Sequence, residues 1–81
     1  MFKETHKLHL LRSVIIDGLS FKLCYFWQDD SISSADYRRC FVFIPSSEYS
    51  ENEDYDIQKL SLYIISFALA KVLYNSNPII Y

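Results

Sequence analysis

The sequence predicts an α+β domain, a three-stranded antiparallel β-sheet packed by one long C-terminal helix in the order β-β-β-α. Three observations predict it. Asp17-Gly18 separates two β-rich runs, Leu8 to Ile16 and Leu19 to Trp27. A third apolar run, Cys40 to Ile44, stops at Pro45. From Ile57 to Tyr74 the only polar residues are Gln58, Lys59, Ser61, Ser66 and Lys71. That stretch is too long for a strand and long enough for about five helical turns.

The hairpin comes first. Asp-Gly between β-rich runs is the two-residue type I′ turn, because both central residues must take positive φ. The turn then sets a register. Ile16 faces Leu19, Val14 faces Phe21, Arg12 faces Leu23, Leu10 faces Tyr25 and Leu8 faces Trp27. Only Arg12 on that face is polar, so register and pattern agree. The reverse face carries Lys7, His9, Leu11, Ser13 and Ile15 against Ser20, Lys22, Cys24, Phe26 and Gln28. It places His9 and Cys24 diagonally on one side.

Gln28 to Arg39 reads as a loop, with room for a short helical turn at Ser33 to Tyr37. Connections of this length are often functional. Cys40 to Ile44 is apolar on both faces, so its pattern does not choose a side. Ser46 to Tyr49 is a second loop. Ser50 with Glu53 three residues later makes a capping box. Glu51, Glu53, Asp54 and Asp56 suit the positive end of the helix dipole, and Lys71 the other end. Asn75 and Pro78 stop the helix. Pro78-Ile79-Ile80-Tyr81 reads as a short edge strand or a frayed end.

The 81 residues fit a single small domain, 1–81. A chain of this size buries a thin core and gains from a second chain. A formal net charge of -2 argues against broad nucleic-acid binding. No apolar run approaches the ~20 residues of a membrane span. The N-terminal segment has no secretory leader pattern. Two cysteines, Cys24 and Cys40, suit a cytoplasmic protein with reduced thiols.

Catalytic and metal chemistry finds little support. His6, His9, Cys24 and Cys40 are the soft metal ligands, and their spacing matches no zinc motif. Asp29-Asp30 and Asp36 are paired acids in one loop, without a glycine hinge or a second acid on a neighbouring strand. There is no phosphate-binding glycine loop. The expectation is a protein that is not an enzyme and uses no cofactor or metal. Arg38-Arg39 with Lys3, Lys7, Arg12 and Lys22 would give a modest basic face beside Phe26 and Phe41. That is the arrangement of a small RNA-binding sheet, and the negative net charge weighs against it.

Partner binding is the stronger expectation. Glu51, Glu53, Asp54 and Asp56 are interleaved with Tyr49 and Tyr55. Carboxylates steer a basic protein partner, and tyrosines supply contact area at low entropic cost. The helix gives a second argument. Three strands span roughly 15 Å at ~4.8 Å spacing, and one helix is ~10 Å wide, so it covers one face of the sheet. Leu62, Ile65, Leu69, Val72 and Leu73 form a surplus apolar stripe, which predicts a homodimer interface. The leading expectation is a small inhibitor, of the immunity-protein or phage anti-defence type, that blocks a basic partner such as a nuclease. The alternatives are an oligomerisation or assembly module using the helix, and the RNA-binding sheet.

Overall fold

The structure, a computed structural model, describes residues 5–29 and 37–75. It is α+β with antiparallel sheets and a C-terminal helix. The strands are β1 (Thr5–Lys7), β2 (His9–Ile16), β3 (Leu19–Asp29), β4 (Tyr37–Pro45), β5 (Asp54–Asp56) and β6 (Ile64–Ile65). The helices are α1 (Ile57–Leu60) and α2 (Phe67–Asn75), with a 3₁₀ turn at Ser46–Glu48. The expected three-stranded sheet is instead a four-stranded sheet, β2-β3-β4-β6, with a two-stranded ribbon, β1-β5. The helical turn expected at Ser33 to Tyr37 lies outside the described residues except for Tyr37, which opens β4. The tail from Pro78 to Tyr81 lies outside them altogether.

The hairpin turn forms as the sequence predicts. Asp17 has φ 51 and Gly18 φ 78, the two left-handed residues a type I′ turn needs. The register follows through Ile16–Leu19, Val14–Phe21 and Arg12–Leu23. Beyond that point it departs from expectation. A β-bulge at Leu11 shifts the pairing, so Leu10 meets Cys24 and His9 meets Tyr25. One inserted residue reverses every side chain beyond it. His9 and Cys24 therefore lie on opposite faces. The bulge also lets Leu8 enter the core at 9% exposure, on the side of Cys24 and Phe26.

The single long helix is also corrected. The Ser50–Glu53 capping box does not form. Asp56 caps α1 instead, its carboxylate accepting from Gln58 N–H at 2.9 Å. The chain then turns at Ser61 and pairs Ile64 and Ile65 with Val42 and Phe41 on the free edge of β4. Phe43 N–H donates to the Tyr63 carbonyl at 3.0 Å. Ser66 starts α2, its hydroxyl accepting from Leu69 N–H at 3.1 Å. The physical reason lies in Tyr63-Ile64-Ile65. Aromatic and β-branched residues favour an extended backbone, and an unpaired sheet edge offers hydrogen bonds there. Serines on either side supply caps that an unbroken helix would waste.

The break lets a short chain cover both faces of the sheet. On the first face Leu8, Cys24, Phe26, Val42 and Ile44 pack under Tyr55 of β5 and Leu60 of α1. On the second face Leu23 and Phe41 pack under Ala70 of α2, flanked by Leu11, Tyr25, Phe43, Ile65 and Leu73. Phe26, Val42, Ile44 and Leu60 are fully buried; each contributes about 1.5–3 kcal/mol by leaving water. Ala70 is the small residue that lets α2 approach the sheet. Arg12 Nη1 donates to the Tyr74 carbonyl at 2.8 Å, satisfying one of the orphan carbonyls at the end of α2.

The break predicts how proline is tolerated. Phe67 is the first residue of α2, where an N–H has no partner within the helix. Phe67→Pro should lower stability in urea unfolding by less than about 1.5 kcal/mol, mainly through lost packing on Phe41. Val72→Pro, inside the helix, should cost about 3 kcal/mol or more. Equal large losses at the two positions would mean that the helix runs through Ser66.

Candidate partner-binding surfaces

The segment from Pro45 to Asp56 carries most of the described acids. After the 3₁₀ turn, Tyr49 and Ser50 lead into a turn at Glu51-Asn52. Asn52 has φ 70, a left-handed value that asparagine tolerates better than most residues. The chain returns as β5, antiparallel to β1, with Thr5 opposite Asp56, His6 opposite Tyr55 and Lys7 opposite Asp54.

Tyr55 holds this turn. Its ring is 5% exposed and sits in the first-face core. Its hydroxyl accepts from Ser50 N–H and shares its own proton between the carbonyls of Glu48 and Ser50, each 3.3 Å away. Tyr49 is half-buried against the same core, and burial pushes its phenol pKa up. Glu48 adds a second tie. Its carboxylate accepts from Tyr63 O–H at 2.7 Å and lies 3.4 Å from Lys59 Nζ. The Tyr63 bond, and secondarily Lys59, hold the Glu48 carboxyl below the usual carboxylate range, while the same bond raises the Tyr63 phenol.

The expected recognition residues thus divide into two groups. Glu51, Glu53 and Asp54 are exposed on the turn and the start of β5. Tyr49, Tyr55 and Asp56 face inward, the first two as core and the last as the cap of α1. The stripe expected for an oligomer divides too. Leu62, Leu69 and Val72 are 77%, 46% and 64% exposed. Ile65 and Leu73 turn toward the sheet and pack on the second-face core.

The second face holds a cluster that sequence reasoning missed. Its end near β1 is not covered by α2. There His9 stacks on Tyr25 at 5.0 Å between centroids, and Tyr25 meets Trp27 edge-on at 5.8 Å. The Arg39 guanidinium lies 5.7 Å from both the Tyr25 and the Trp27 ring centres. The alternation of Tyr25 and Trp27 along β3 was a visible signal. What hid the cluster was the unassigned register of β4, which places Arg39 opposite Trp27, and the bulge that brings His9 over. Of the two aromatics expected beside a basic face, Phe41 is on this side and Phe26 is buried on the other.

Among the described side chains, Glu48, Glu51, Glu53, Asp54 and Asp56 belong to the β4–α1 segment on the first-face side, where Lys7 and Lys59 accompany them, and Asp17 sits at the hairpin tip. Arg12, Arg39 and Lys71 lie on the second face without a described acid. Burial pushes the Cys24 thiol up to about 12, so it is an inert core group. Among the described residues no three His, Cys, Asp or Glu come together as metal donors. No described helix is long and apolar enough to cross a membrane.

The Glu48 tie predicts a pH dependence with a definite sign. A carboxyl whose folded pKa is lowered stabilises the fold above its ordinary range and loses that contribution as pH falls through the folded value. The difference in melting temperature between the native chain and Glu48→Gln should be largest near neutral pH and vanish in acid. A difference unchanged across that window would mean that the carboxylate charge is not involved. Compared with family models, with curated proteins and with solved structures, the chain matches none.

Proposed function

We propose that the protein is a non-enzymatic inhibitor that occupies a basic surface of another protein, in the manner of immunity proteins that neutralise nucleases or phage proteins that block a defence enzyme. The observation that carries this reading is the clamped acidic turn. Glu51, Glu53 and Asp54 project to solvent from a backbone that Tyr55 pins from below and β1 pins from the side. A turn ordered before binding avoids the entropy cost of ordering on contact. Its charges raise the encounter rate with a basic partner and reject acidic ones. Tyr55, expected to touch the partner, acts here by holding the acids in place.

A second reading rests on a separate observation. Leu62, Leu69 and Val72, with Phe67 at 66% exposure, leave apolar surface on and beside α2 uncovered by the described chain. This favours an assembly module that pairs through α2, and a homodimer is its simplest form.

Two experiments separate the readings. Glu53→Lys with Asp54→Lys should slow association with the native partner by at least tenfold at low salt, with the gap closing as salt rises. Unchanged binding and unchanged salt dependence would end the acidic-turn reading. In sedimentation velocity, a dimer that becomes monomeric in Leu69→Glu supports assembly through α2, and a native monomer at high concentration ends it.

A further inference from the structure

Beside the aromatic cluster, the second face opens into a groove of about 350 Å³ between the sheet and the inner flank of α2. That volume is at the small end of the ~300–1,000 Å³ typical of small-ligand sites. Leu11, Phe41 and Ala70 line it with apolar surface, and the Phe67 ring stands edge-on to Phe41 at 5.6 Å. Two cations, Arg39 and Lys71, also line the groove. No acid among the described residues does. Arg39 is not a wandering surface charge, since its guanidinium rests against both Tyr25 and Trp27.

We propose that this groove binds an aromatic carboxylate, with the ring laid against the edge-to-face pair of Phe41 and Phe67 and the carboxylate on Arg39 and Lys71. Each part of that ligand answers something in the wall. A simple inorganic anion would leave the phenylalanine surface wet. A neutral aromatic would leave two cations beside a desolvating guest with no partner. A flat body with one carboxylate satisfies both, because a guanidinium accepts a carboxylate in a two-bond fork and the apolar floor takes a ring. The site is independent of the acidic turn, which lies with the first-face core.

The test uses the full chain and amide and indole NMR, with 2-naphthoate as the probe. The chain has one tryptophan, so Trp27 gives one indole N–H signal next to the site. Saturable shifts at Trp27 and at the amides of Leu11, Phe41 and Ala70 are expected. 2-Naphthalenemethanol, which lacks the charge, and acetate, which lacks the ring, should each bind at least tenfold more weakly. Arg39→Gln and Lys71→Gln should each weaken 2-naphthoate about tenfold while the dispersion of the amide spectrum is retained. Glu53→Gln on the acidic turn should leave it unchanged. The proposal is overturned if 2-naphthoate gives no saturable shift, if the neutral analogue binds as tightly, or if both cation variants bind like the native chain.

Discussion

The pairing of Ile64 and Ile65 with the free edge of β4 is the constraint on which the rest of the structure depends. It gives the edge its hydrogen bonds, with Phe43 N–H on the Tyr63 carbonyl as the first. It also divides the apolar C-terminal stretch in two. The part before it, α1, stays with the first face and buries Leu60. The part after it, α2, crosses to the second face and lays Ala70 on the sheet. Without that edge contact one helix would have to serve both faces, and half of the sheet would meet water.

Much of the hairpin was legible in the sequence because its determinants are local. Asp17-Gly18 fixes a turn, the turn fixes a register, and the register holds through Arg12 and Leu23. The bulge at Leu11 was not legible, since nothing about a leucine in a run of leucines marks it as the inserted residue. The helix failed for a related reason. Ser50, Glu53 and the long apolar run satisfy helix rules one by one, yet Tyr63-Ile64-Ile65 satisfies strand rules equally well. The choice was made by a sheet edge about twenty residues away in sequence, and local propensity cannot see such an edge.

The candidate surfaces show the same division. The acids of the turn were legible as acids, because exposed charge is the common condition. The tyrosines among them were not separable by type into contact and core. A buried Tyr55 with its hydroxyl on backbone groups and an exposed Tyr55 would read identically in the chain. The His9–Tyr25–Trp27–Arg39 cluster lay beyond reach because it joins three strands. Its residues meet only after the register of β4 and the bulge in β2 are both known.

The β1–β5 ribbon has a consequence for when the acidic turn can exist. Thr5 and Asp56 lie about fifty residues apart, so their pairing closes a long loop and is entropically late. The hairpin and the central sheet pair nearer neighbours in sequence. The surface that carries Glu51, Glu53 and Asp54 is therefore complete only once these two distant segments have met. An unfinished chain would display acids on slack backbone, whereas a finished one presents them at fixed spacing. Recognition through that turn would thus report that the chain has completed its fold.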